Sequence, residues 1–331
     1  MKLNIRELKA RAAALTAEHR SAARLLVLWY CGVSAVLTLG SSGLNLYLDS
    51  QIVSTGGLSG IGLRSVLQTI QEILTLVNQF FGPFWSAGFL LAMMGMVRGH
   101  APHPRTLVEG FRRFFTVLGH MAFRFLLMVV TAITAVNLSA VLFSLSPLGQ
   151  RFSQEMTQVM SDPNFILPSG AVNMELIPQD LIMEAGLPLT GLVMAVFGLL
   201  YLYICYPFRL SMYLMLRQPM GAIRAHFESL RLMRGHKWSM LKLDLSWWYY
   251  YLLTVLIGVV GYLDLIMGIM GIPLPMDETV MFFATMAAYC VLITALCLWK
   301  KCQMDAGYVL AFEAIANPET EEAAVDFGNI S

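Results

Sequence analysis

The side chains of this chain best able to do chemistry are the ionisable ones set in long apolar runs. Arg124, Arg209, Asp244 and Asp264 lie in such runs, and Glu72 lies on a half-apolar stretch just before one. A charge at mid-membrane costs about 2.5–3.5 kcal/mol on insertion scales, so each needs a partner or water. Arg209 follows Tyr206-Pro207-Phe208, and Asp244 follows Lys237 and Lys242, which puts both at similar depth near one end of their runs. The pair reads either as an interhelical ion pair that fixes packing or as a site for a substrate or lipid headgroup. With Arg124 they make up the candidate intramembrane polar site. Pro207 leaves a backbone carbonyl free within its run, which kinks a helix or serves a transported solute.

Other chemistries lack their residues. The sequence holds no GxxxxGK[ST] phosphate loop, GxSxG elbow, HExxH helix or CxxC pair. His100-Ala-Pro-His103 offers two imidazoles, whereas zinc takes three or four ligands. No catalytic residue, metal site or cofactor is expected, and the chain reads as a non-enzyme. Cys31, Cys205, Cys290, Cys297 and Cys302 all fall in or beside apolar runs and read as small packing groups.

The elements carrying these residues follow from composition. Of 331 residues, 57% are hydrophobic and 13% charged, against roughly 25% charged in soluble domains. Disorder is excluded by the apolar content, and 22 Lys+Arg against 21 Asp+Glu excludes a generally basic nucleic-acid binder. The fold class is an all-α polytopic integral membrane protein. Crossing a bilayer takes about 20 apolar residues, and six regions qualify: 25–44, a segment ending at Val97, 115–145, 187–214, 240–267 and 280–299, the last continuing as helix towards Ala316. The first is too long, and preceded by too long a charged segment, for a cleaved signal peptide. Residues 65–80, ahead of Gly82-Pro83, are expected to form a separate amphipathic helix or half-helix.

Charge sets the orientation, because short cytoplasmic loops are rich in Lys and Arg. Basic residues cluster before span one and after spans two, four and six, while the opposite loops hold only Arg64 and Arg151 among mostly acidic charges. Six spans with both termini in the cytoplasm follow, in the plasma membrane. The organisation reads as an amphipathic N-terminal segment (1–22), a membrane domain (23–316) with an acidic outer loop (146–186), and an acidic tail (317–331). Basic cytoplasmic helices are expected at 105–114 and 220–236, each after a proline-bearing turn and before a span, as in a repeated unit. In the second, Ile223, Phe227, Leu230 and Met233 recur at steps of three or four; Ile5, Leu8, Ala12 and Leu15 do the same near the start. Such helices lie in the headgroup layer. Arg224, Arg231, Arg234, His236 and Lys237 are the candidate lipid-headgroup contacts.

The run Ser229-Leu-Arg-Leu-Met-Arg-Gly-His-Lys-Trp238, followed by Leu243-Asp244-Leu245-Ser246, resembles the bacterial integral-membrane family catalogued as domain of unknown function 975. Supporting matches are Arg6-Glu7-Leu8-Lys9, Gly82-Pro83 with Gly88, Arg98-Gly99, Leu107 with Gly110-Phe111, Pro219 and the Ala306-Gly307-Tyr308 region. The family pattern continues with a Phe-Ile-Gly-Trp-like run where this chain has Trp247-Trp248-Tyr249-Tyr250. The resemblance implies a multi-span bacterial inner-membrane protein and no reaction. The expected role is a non-enzymatic accessory or envelope-associated component whose partners are membrane lipids, anionic ones included, and a membrane protein, with no nucleic acid. The alternative is a small-solute or lipid transporter using buried charges in spans four and five.

Overall fold

Inside a bilayer a backbone can satisfy its polar groups only in helices or a closed barrel. In the computed structural model this chain forms helices and, among the described residues, no strand. The described residues are 3–54, 61–162, 165, 179–218, 220–263, 266–267 and 278–317. The expectations placed on Asp264, Pro219, residues 163–164 and 166–178 of the outer loop, and the tail beyond Asn317 lie outside them.

The helices are α1 (Ile5–Glu18), α2 (Arg20–Ser54), α3 (Ile61–Val97), α4 (Thr106–Arg112), α5 (Phe114–Ser144), α6 (Pro147–Met160), α7 (Gln179–Leu200), α8 (Ser211–Arg217), α9 (Ala222–Met233), α10 (Lys237–Leu245), α11 (Trp248–Gly261), α12 (Glu278–Leu296) and α13 (Cys302–Ala316). A π-helical turn, Tyr201–Cys205, and a 3-10 turn, Tyr206–Phe208, carry α7 towards α8; a second π-helical turn, Cys297–Lys301, joins α12 to α13. Among the described residues, five segments are long and apolar enough to cross a membrane: Arg20–Leu44, Gln79–Val97, Phe114–Ser144, Glu184–Arg217 and Thr279–Ala316. The pair α10 and α11, bent by 56°, supplies a sixth.

Two expectations change. Residues 65–80 are not a separate helix but the first half of α3, which runs through Pro83 without a break. Proline removes one donor and kinks a helix, but the turns on either side continue the ladder. Span five, expected to be one helix, is broken at Ser246-Trp247, where neither Pro nor Gly stands.

The chain divides into two compact units, Met1–Gly119 with Leu210–Ser331, and His120–Arg209. In the first, α3 and α4 cross in close contact. A Cβ on Gly88 would sit 2.1 Å from the Leu107 carbonyl oxygen, and one on Gly110 would sit 2.0 Å from that of Phe84. Only glycines at the crossing allow the backbones this approach. Trp85 Nε1 donates to the Tyr30 carbonyl at 3.0 Å, which ties α3 to α2. Leu8 and Ala12 of α1 are buried, with Ala12 beside Gly307 of α13. The apolar stripe of α1 is thus half used inside the protein.

The second unit comprises α5 from His120, α6, α7 and the turns to Arg209. Ser146 Oγ caps α6 by accepting from Gly149 N–H at 3.0 Å, which satisfies one of the free donors at a helix start. Arg151 pairs with Glu155 at 2.7 Å and Glu184 at 3.6 Å. Thr131 Oγ1 and Cys205 Sγ meet at 3.4 Å within the packed interior.

Candidate intramembrane polar site and basic surface

The C-terminal helix organises the polar groups of the first unit. On a helix, positions three and four apart share a face, and Lys301, Asp305 and Tyr308 follow that spacing. Lys301 Nζ pairs with Asp305 Oδ2 at 3.0 Å, and each side chain is only 18% exposed. The ammonium also stands 4.8 Å from the Phe89 ring centre and 5.2 Å from that of Tyr30, within cation–π range. One helical turn further on, Tyr308 donates from its hydroxyl to Asp244 Oδ1 at 2.6 Å, and its oxygen lies 2.7 Å from that of Tyr251. Asp244 therefore has a phenol partner on α13.

The break in span five lies beside this cluster in the chain. Breaking a helix frees backbone carbonyls, which within a membrane must find donors. Lys9 of α1 supplies one. Its Nζ donates to the Ser246 carbonyl at 3.0 Å and stands 4.2 Å over the Trp247 ring. Burial, and then the charge of Lys300, hold the Lys9 ammonium below its usual pKa range.

Further along α13, Glu313 pairs with Arg98 at 3.2 Å and with Arg217 at 3.3 Å. Arg217 also faces the Phe312 ring at 5.8 Å. Arg113 fastens the end of α8, donating to the Leu216 carbonyl at 2.7 Å and to that of Met215 at 3.3 Å. Carbonyls in the last turn of a helix lack partners within it, and a guanidinium is well shaped to supply them.

The basic helix α9 is built on a buried face of Ala225, His226, Ser229 and Met233. Ser229 Oγ accepts from Leu210 N–H at 3.1 Å, which gives the first residue of the matched motif a structural role. The motif's Gly235 has φ +87, and with Arg234 at φ −63, ψ 118 and His236 N–H donating to the Met233 carbonyl at 3.1 Å it forms a type II turn. That turn needs a positive φ at its third residue, which favours glycine. The expected stripe Ile223, Phe227, Leu230, Met233 is split. Met233 is buried, whereas Ile223 and Phe227 are 64% and 65% exposed. Arg224, Arg231 and Arg234 are exposed as well; Arg231 pairs with Glu228 one turn away. His236 is half-buried and burial lowers its pKa; Lys237 is also half-buried. A cleft of about 320 Å³ between α8, α9 and the end of α13 is lined by Arg217, Arg224, Arg231, Gln218, Glu228 and Asn317 among others.

The remaining expected site residues lie in the second unit. Arg209 ends it, with its guanidinium carbon 5.7 Å from the Tyr206 ring. Arg124 of α5 donates to Tyr201 Oη at 3.3 Å, on the first residue of the π-helical turn. Arg209 and Asp244, expected as a pair, belong to different units. Lys301, Asp305, Tyr308, Glu313 and Lys9 were all missed as site residues. Charge counting places Lys301 only among the basic residues after span six, although its spacing of four from Asp305 on a continuing helix is a usable signal.

Helices long and apolar enough for about six crossings, with ionisable groups partnered between them, define an all-α polytopic integral membrane protein. The chain belongs to the family described as Protein of unknown function (DUF975), whose profile matches residues 3–289. No curated protein and no solved structure matches it.

Proposed function

We propose that the chain is a non-enzymatic accessory component of the bacterial cell membrane, with both termini in the cytoplasm, whose basic helices engage anionic lipid headgroups and offer a surface to a membrane protein partner. The observation that carries this reading is the outer face of α9. Ile223 and Phe227 stand in the open beside Arg224 and Arg231, while the helix is held by its other face. A helix so divided suits the headgroup layer, where each arginine near anionic lipid is worth about 1 kcal/mol. Trp238, 75% exposed just after the motif's Lys237, suits the same depth.

The test compares the thermal stability of the purified chain in micelles doped with phosphatidylglycerol or with phosphatidylcholine. Phosphatidylglycerol is expected to raise Tm, and the triple variant Arg224→Gln, Arg231→Gln, Arg234→Gln to lose that increment. An equal response to the two lipids contradicts the reading. Purification from native membranes tests the partner, which should co-purify in stoichiometric amount and be lost from the same variant.

A second reading, a small-solute or lipid transporter, is favoured by the polar face of Lys301, Asp305 and Tyr308, since transporters place ionisable groups and broken helices along their pathways. In that case single substitution of Asp244 or Arg209 abolishes flux in proteoliposomes while the protein stays folded.

A further inference from the structure

A cavity of about 260 Å³ lies among α2, α11, α12 and the second π-helical turn, with Lys301, Tyr30, Tyr250, Tyr289, Ser34 and Thr38 supplying its polar lining. We propose that it binds a small organic anion with a planar, apolar body. The lining residues include one cation and no carboxylate; Asp305, which pairs with Lys301, is not among them. A lysine ammonium has three donors, so pairing with Asp305 leaves capacity for a second anionic oxygen. The three tyrosines give aromatic walls, and Cys31, Cys290 and Cys297 line the remainder with soft, weakly polar groups. The volume lies a little below the usual range of small-molecule pockets. An aromatic carboxylate such as benzoate matches both size and charge. π-helical turns within α-helices recur at functional sites, and this one supplies Cys297 and Lys301 together. The proposal does not rest on the headgroup reading of α9, which concerns other residues.

The cavity thiols report occupancy. The purified full chain is treated with N-ethylmaleimide, and alkylation of each cysteine is followed by peptide mass spectrometry with increasing benzoate. Benzoate is expected to slow alkylation of Cys31 and Cys297 saturably, by about fivefold at four times its half-saturating concentration. Cys205, in the other unit, should not respond. Lys301→Met alone strands Asp305, so the paired variant Lys301→Met with Asp305→Leu is used, and it should lose the protection. Thr38→Val, which keeps the cation, should retain most of it. Neutral benzamide should protect far less than benzoate. Absence of protection, equal protection by benzamide, unchanged protection in the paired variant, or failure of Cys31 and Cys297 to react at all would each overturn the proposal.

Discussion

Both units interrupt a long helix with a π-helical turn, and they treat the polar groups around it in opposite ways. In the first unit, Lys301 ends the turn and is paired with Asp305, both side chains being largely withdrawn from the surface. In the second, Tyr201 begins the turn and meets Arg124, which is exposed. The same backbone irregularity thus aims an ion pair inwards in one case and holds an arginine that the protein leaves uncovered in the other. What differs is what is packed around it. The turn at Cys297–Lys301 has a phenylalanine and a tyrosine ring on its cation and glycine-mediated helix crossings nearby in the fold. Gly191 and Gly198, in the helix that leads into the second unit's turn, have open space where a Cβ would go, although Gly149 at the start of α6 does not.

The largest contrast is expected at those glycines. Gly110→Ala puts a methyl against the Phe84 carbonyl and should cost about 3 kcal/mol or more, the upper end of overpacking penalties. Gly191→Ala should be neutral or stabilise by up to about 1 kcal/mol, as expected where a helix interior gains alanine. Thermal unfolding of the two variants side by side checks this, and similar losses would break the contrast. Next comes Asp244. Asp244→Asn weakens a charge-assisted bond from Tyr308 and should cost about 1–3 kcal/mol. Tyr308→Phe should cost a similar amount, and the two losses should not add.

The smallest effect is at His236. Burial lowers its folded pKa below 6.5, so as pH falls through 6.5 the unfolded chain takes up the proton before the folded one does. Stability should therefore rise with pH across the window from the lowered value up to about 6.5. His236→Asn should flatten that dependence in a pH series of melting curves.

Much of this was readable in advance, for reasons tied to particular residues. The spans were legible because long apolar runs leave a bilayer-facing chain few alternatives. The basic helix expected over 220–236 instead ends at Met233, because the turn through Arg234-Gly235 stops it three residues early. The continuation of span six to Ala316 is legible because residues 302–316 stay mostly apolar and contain no proline. The break at Ser246-Trp247 is not, since no proline or glycine marks it and the donor that serves it, Lys9, lies 237 residues away. Continuity of α3 through Pro83 was missed because a proline predicts a kink or stop more readily than a passage. The inward pair Lys301–Asp305 was hidden by charge counting, which treats a lysine at the end of an apolar run as a flank. The division of the α9 stripe was hidden because periodicity shows an apolar face but not whether protein or lipid covers it.

The most direct test is a double-mutant cycle at each π-helical turn, read as unfolding free energy in detergent. Lys301→Met and Asp305→Leu are combined in one cycle, and Arg124→Met and Tyr201→Phe in the other. The account predicts that Lys301→Met alone costs about 3–5 kcal/mol and that Asp305→Leu restores most of it, as for a buried ion pair replaced whole. It predicts coupling of about 0.6 kcal/mol, and no more than about 1.7, between Arg124 and Tyr201, as for hydrogen bonds between membrane helices. Equal coupling at the two turns, or a Lys301→Met chain as stable as the parent, would contradict the claim that the first unit holds its charges inside.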